Sequence, residues 1–198
     1  MKIGILGGTF NPVHIGHLIL AEEAREKLAL DKIIFIPAAL PPHKDNFNIA
    51  PAQDRLEMLK LAVKGNKFFA VSDIEIKRKG PSYTIDTLNA FKAKFGRDEL
   101  YFIIGSDLLK YLSEWKDLGQ IIKMIKFLVA TRPGYPLEQI PSYIQTLAIR
   151  AVDVSGFEVR RCIKENKSFR YLVPDTVFNY INKNKLYIKD LIKGRSLG

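Results

Sequence analysis

Apolar strand-like runs alternate with helical periodicities along this chain, and that order predicts an α/β fold. Three observations carry the reading. Residues 2–6 (KIGIL) and 32–37 (KIIFIP) are short apolar runs of the kind that forms buried strands, and runs at 100–104 and 127–131 repeat the pattern. Segments with Leu and Ala at helical spacing lie between these runs, as at Leu18, Leu20, Ala21, Ala24 and Leu28. Strand, helix and strand in succession give parallel pairing with helices packed on both faces. The expected architecture is therefore a doubly wound, Rossmann-like parallel sheet with a small C-terminal helical portion. Ligands of such sheets bind beyond the carboxyl ends of the strands, where the strand order reverses.

The elements follow in order. A glycine turn, Gly7-Gly8-Thr9, succeeds the first strand, and a helix runs from about Gly16 to Leu28. Residues 38–50 read as a loop punctuated by Pro41 and Pro42, and 52–64 as an amphipathic helix. Short strands are expected at 68–71 and 74–76, a helix at 84–95, and helical stretches at 106–113 and 117–124. Residues 133–147 read as a surface loop or small subdomain, 148–152 as a further short strand, and 157–165 and 175–182 as closing helices. Residues 183–198 form a basic tail, expected to be partly disordered. Without a repeat, a low-complexity tract or a linker, residues 1–198 are one domain.

Composition limits the function classes. With 198 residues, 47% hydrophobic and 26% charged, the chain is long enough for one substantial core and unlike a disordered polymer. No apolar run approaches the roughly 20 residues of a membrane span. The start MKIGILGG is too short in apolar residues for a secretory signal, and a single cysteine, Cys162, allows no intrachain disulfide. The protein is expected in the cytoplasm, with no membrane partner. A net charge of +10 suits either a polyanion partner or a lysine-rich surface. The lysines are scattered from Lys2 to Lys193 with no dense block or interleaved aromatics, so nucleic acid is not expected. Small anions profit from the same field. Homo-oligomerisation is left open.

The densest cluster of chemistry is Gly7-Gly8-Thr9-Phe10-Asn11-Pro12-Val13-His14-Ile15-Gly16-His17. Two glycines let the backbone approach a phosphate closely and take positive φ. The helix that follows directs free N–H groups at an anion. His14 and His17 are three residues apart, on one side of the helix, and two of the three histidines in the chain lie here. A zinc site would need carboxylates or thiolates that this stretch lacks, so no resident metal site is read. A tight turn with structural histidines is the plain alternative; strand, turn and helix together point to nucleotide phosphate.

This string resembles the HxGH motif of the nucleotidyltransferase superfamily. The form GGTFNPVHIGH is similar to the nicotinate/nicotinamide mononucleotide adenylyltransferases, and the similarity extends over nearly the whole chain. It implies adenylyl transfer from ATP to nicotinate mononucleotide, giving nicotinate adenine dinucleotide and pyrophosphate in NAD biosynthesis. Magnesium arrives with ATP. The resemblance assigns Gly7, Gly8, Thr9, Phe10 and His17 to ATP and Asn11 to nicotinate mononucleotide, with His14, His17, Lys44 and Arg160 as catalytic cations.

Other motifs fall into place beside it. Pro41-Pro42-His43-Lys44 is a stiffened loop whose Lys44 reaches a phosphate, and it resembles the bacterial nicotinate mononucleotide enzymes. Ser82-Tyr83-Thr84-Ile85-Asp86-Thr87 opens a helix. Ser82 or Thr84 is a natural N-cap there, while an uncapped start would suit a nicotinate carboxylate. The resemblance puts Ser82, Tyr83 and Thr84 in the pyridine pocket and Trp115 on the pyridine ring. Gly105 and Asp107 border the adenosine site, with helix capping as the alternative for Ser106 or Asp107. Arg132, at another strand end, is assigned to the acceptor. Val154-Ser155-Gly156-Phe157-Glu158-Val159-Arg160 resembles the phosphate motif ISSTxIR, keeping Ser155 and Arg160 for ATP. It departs at Gly156 and Phe157, which removes two hydroxyl donors. Competing readings are another adenylyl or cytidylyl acceptor such as phosphopantetheine, a nucleic-acid-binding protein, and an enzyme weakened by that departure.

Overall fold

A computed structural model describes residues 1–41, 49–131, 140–150 and 152–188, with the backbone only at Asp107. The elements are β1 (Lys2–Gly8), α1 (Ile15–Lys27), β2 (Lys32–Pro37), α2 (Ala52–Val63), β3 (Phe69–Val71), α3 (Ile74–Arg78), α4 (Thr84–Lys94) and β4 (Glu99–Gly105). A 3₁₀ helix (Ser106–Glu114), α5 (Leu118–Met124), β5 (Lys126–Ala130), β6 (Ile144–Leu147), α6 (Gly156–Lys164) and α7 (Asp175–Lys183) complete the chain. The six strands make one parallel sheet in the order β3-β2-β1-β4-β5-β6. The order reverses between β1 and β4, which pair from Lys2↔Glu99 to Leu6↔Ile103. The expected doubly wound sheet is therefore present.

Side chains alternate across the pleat and build two cores. Leu6, Ile33, Phe35, Tyr101, Ile103 and Leu128 face one side, under α1, α2, α6 and α7. Ile3, Ile5, Ile34, Ile36, Phe102 and Phe127 face the other, under α4 and α5. Central strands buried on both faces read as the continuous apolar runs seen in the sequence. Phe35 is fully buried, with its ring 6.0 Å from Phe10 and 5.2 Å from Phe69. The described helices include none long and apolar enough to cross a membrane.

Several expectations need correction. Gly7 and Gly8 do not form a turn: β1 continues through both, and Gly8 pairs with Pro37. Neither takes positive φ. Gly7 sits in close approach, since a Cβ would lie 3.1 Å from Phe102 Cζ and push that ring back, and the left-handed residue is Phe10, at φ 48°. Residues 74–76 are not a strand but the start of α3, supported by an Asp73–Lys77 ion pair of 3.1 Å. An apolar-polar-apolar triplet is too short to separate the two periodicities. The strand expected at 148–152 lies earlier, as edge strand β6, where only Ile144 and Leu147 are buried. Of the basic tail expected from 183 onward, residues 183–188 are described, and Tyr187 among them is buried in the core. The rest of that tail lies outside the described residues.

Three helices end in Schellman turns with no glycine. After α1, Ala29 takes φ 48° and Leu30 N–H donates to Arg25 O at 2.9 Å. After α6, Asn166 takes φ 53° and Lys167 N–H donates to Cys162 O at 2.8 Å. After α7, Lys185 takes φ 53° and Leu186 N–H donates to Ile181 O at 3.1 Å.

Phe35→Ala should cost about 3–5 kcal/mol, because a buried phenyl is lost from the junction of two helices and the sheet. Urea unfolding checks this; a loss under about 1 kcal/mol would show that the cavity collapses.

Candidate functional site

A cavity of about 550 Å³ opens at the carboxyl ends of β1 and β4, over the switch point. That is the size of a small-molecule site. Gly7, Gly8, Thr9 and Phe10 reach it from β1, and Gly105 from β4. His14, Gly16 and His17 line it from α1, and Ser155, Gly156 and Arg160 from α6. Ser82, Tyr83, Thr84 and Trp115 line it as well. The described residues assigned to the two substrates thus share one cavity. Lys44 and Arg132 lie outside the described residues, as does the side chain of Asp107.

His14 is the N-cap of α1, with extended φ −139°. Its ring stacks 3.7 Å from that of His17, and Phe10 meets His17 edge-on at 4.9 Å. Gly16 leaves room for this ring: a Cβ there would sit 3.1 Å from His14 Nδ1, a tight contact. His14 N–H donates to His17 Nδ1 at 3.2 Å. An imidazole whose Nδ1 accepts carries its proton on Nε2 when neutral, so His17 keeps a donor on its far nitrogen.

The start of α6 lies beside that of α1. Ser155 is its N-cap and accepts from Glu158 N–H at 3.1 Å, so the hydroxyl oxygen caps the helix while its O–H stays a donor. Gly156 has a steric reason to depart from the serine of the motif, because a Cβ would lie 2.8 Å from Asn11 O. Phe157 is exposed at the cavity wall. Arg160 Nη1 donates to the same Asn11 O at 2.6 Å, and burial lowers the guanidinium from its ordinary value. Two helix N-termini and an arginine therefore border one side of the cavity.

The opposite side begins at α4. Its N-cap is Tyr83, with no side-chain cap; neither Ser82 nor Thr84 fills that role. Ser82 Oγ instead accepts from Ala39 N–H at 2.8 Å, tying α4 to the segment after β2. Trp115 packs edge-on against Phe102 (5.7 Å) and Phe127 (6.0 Å), yet stays half-buried and lines the cavity. Asn11, assigned to the acceptor, has its Oδ1 engaged by Ala50 N–H (3.0 Å) and Tyr187 O–H (2.9 Å).

Lys116 and Glu75 also line the cavity, and Arg55 holds the carbonyls of segments that do. Lys116 Nζ sits 4.9 Å over the Tyr83 ring, adding a cation beside the α4 start. Arg55, 1% exposed, donates to Thr9 O (2.8 Å), Ala38 O (2.6 Å), Ala39 O (3.1 Å) and Ala50 O (2.9 Å). Glu75 is buried and accepts from Thr87 O–H at 2.7 Å, while Arg78 donates to the same hydroxyl at 3.2 Å. Arg55 and Glu75 have no local signal, since a lone arginine or glutamate in a helix reads as a solvated charge, and Lys116 reads as one more surface lysine.

Burial pushes the Glu75 carboxyl above its ordinary value, against hydrogen bonds from Ser82 and Thr87 and the charges of Arg78 and Arg55. A group that binds its proton more tightly when folded stabilises the fold at low pH and loses that contribution as pH rises through its folded value. The neutral amide introduced by Glu75→Gln would have no such loss. The melting-temperature difference between Glu75→Gln and the parent should therefore move in favour of the variant from about pH 4 to about pH 7. A difference that moves the other way would mean that the arginines hold the carboxylate ionised.

The cytidylyltransferase-like family model matches residues 5–162. The nicotinate-nucleotide adenylyltransferase of Bacillus subtilis is 41% identical, covering 94% of this chain and 98% of its own length. A Thermus thermophilus protein described as a probable nicotinate-nucleotide adenylyltransferase is 44% identical, over 94% of this chain and 100% of its own. Among solved structures, Plasmodium falciparum nicotinic acid mononucleotide adenylyltransferase complexed with NaAD superposes with a TM-score of 0.80 at 18% identity. It covers 94% of this chain and 97% of that one, a likeness of fold.

Proposed function

Because the chain belongs to the nicotinate-nucleotide adenylyltransferase family, within the cytidylyltransferase-like group, we propose that it transfers the adenylyl group of ATP to nicotinate mononucleotide in NAD biosynthesis. The products are nicotinate adenine dinucleotide and pyrophosphate, and the reaction takes place in the cytoplasm. One observation supports this best. The N-termini of α1 and α6, with His17 and Arg160, and the uncapped N-terminus of α4, with Trp115, border a single cavity at the switch point.

A phosphate oxygen of the mononucleotide forms a bond to the α-phosphorus of ATP, and the bond from that phosphorus to the β-phosphate bridging oxygen breaks. The attacking group is already an anion, so no base need take a proton. Catalysis is then positioning and charge stabilisation. His17 and Arg160 donate to phosphate oxygens as charge moves onto pyrophosphate, and the α1 and α6 amides add to that field. His14 stacks on His17 and holds it in place. Lys44 is assigned a further phosphate contact on sequence grounds, Asp107 and Gly105 the adenosine side, and Arg132 the acceptor.

Magnesium enters as part of the ATP substrate and keeps most of its water, as that ion prefers. Among the described residues no group of three or more His, Cys, Asp or Glu side chains is placed to hold a metal by itself.

The acceptor side favours an anion. Uncapped amides at α4 and the Lys116 ammonium suit a pyridine carboxylate better than a neutral amide. Pyrophosphate release with magnesium and ATP should be at least about tenfold faster with nicotinate than with nicotinamide mononucleotide; one hydrogen bond to a charged group supports that margin. His17→Ala should lower turnover about 100-fold or more. Equal rates with the two acceptors would refute the preference, and release unaffected by His17→Ala would refute the assigned site.

A further inference from the structure

The C-terminal segment reaches the cavity wall from behind. After the Schellman turn that ends α7, Tyr187 takes φ 65°, the second left-handed residue in three positions after Lys185 at 53°. An L-residue is strained there, and the conformation persists only where the surroundings hold it. The Tyr187 ring is buried, 8% exposed, within the core under α1, α2, α6 and α7. Its hydroxyl donates to Asn11 Oδ1 at 2.9 Å, next to the Ala50 N–H bond on the same oxygen.

Asn11 uses its other oxygen for the phosphate side. The main-chain carbonyl accepts from Arg160 Nη1 at 2.6 Å. It also lies where a Cβ on Gly156 would approach within 2.8 Å, so the carbonyl, Arg160 and the α6 start are packed with little slack. Burial holds the Tyr187 hydroxyl well above its ordinary value, and it is a firm donor at neutral pH. Tyr187 does not line the substrate cavity among its described residues, so its influence runs through Asn11.

We propose that Tyr187 is a positioning residue for adenylyl transfer: its hydroxyl anchors the Asn11 side chain, and the Asn11 carbonyl in turn sets the Arg160 guanidinium at the cavity wall. The inference rests on the reading above that Arg160 meets the phosphates of ATP. It gives the segment after α7 a part in the site that the first helix of the fold begins.

Tyr187→Phe keeps the buried ring and removes only the donor. One hydrogen bond converts to about fivefold. The variant should therefore bind ATP about fivefold more weakly by calorimetry. Its kcat/KM for ATP should fall by a similar factor, with KM for nicotinate mononucleotide close to that of the parent. In an Arg160→Ala background the same change should cost less than about twofold, because the group it positions is gone. ATP affinity equal to the parent's, with or without a lower melting temperature, would reduce Tyr187 to core filling and overturn the proposal. So would an equal loss in both backgrounds. A parent enzyme that binds no ATP would refute the functional reading itself, and this inference with it.

Discussion

A guanidinium left only 1% exposed must place its N–H groups on protein oxygens, and Arg55 places them on four carbonyls from three separate segments. Thr9 follows β1, Ala38 and Ala39 follow β2, and Ala50 precedes α2. The Ala50 bond is buried and the other three are partly buried, so losing the guanidinium would leave at least one buried acceptor without this partner, at about 1–3 kcal/mol. The three segments form the rim of the cavity at the strand ends. Burial lowers the Arg55 guanidinium from its ordinary value, but an arginine stays charged under such pressure. The rim therefore has a fixed cation at its base.

The loop from Thr9 to Asn11 is held from every side. Arg55 takes the Thr9 carbonyl, Arg160 the Asn11 carbonyl, and Ala50 N–H with the Tyr187 hydroxyl the Asn11 side chain. Phe10 between them is left-handed and buried, a conformation a phenylalanine keeps only when its neighbours dictate it. The same loop leads directly into His14 and α1. A parallel sheet delivers β1 and β4 to this point, helices supply partial positive charge, and buried contacts fix the angle at which those charges face the cavity.

Much of this was legible in the sequence where one physical signal dominates. β1, β2, β4 and β5 are buried on both faces and show as unbroken apolar runs. Gly16 and the two histidines are a local constellation whose spacing carries its meaning. Signals failed where structure is set at a distance. β6 is an edge strand with two buried residues, and α3 is one short turn around Glu75. Three helices stop at Ala29, Asn166 and Lys185 without the glycine that marks such ends. Arg55 looks like any charge on an amphipathic helix, and Tyr187 like part of a basic tail; only the fold gives them partners. Asn11 shows the same limit, since its motif position points to a ligand while its Oδ1 serves the scaffold.

Hydrogen bonds to the β1 loop, and not the motif residues alone, set the geometry of the cavity wall. Calorimetric ATP binding by Arg55→Lys tests it most directly, because lysine keeps the charge but cannot span four carbonyls with one ammonium. The account predicts ATP affinity at least about tenfold weaker, the equivalent of one lost charged hydrogen bond, with the far-ultraviolet circular dichroism of the sheet and helices retained. Unchanged ATP affinity in a folded Arg55→Lys protein would contradict it.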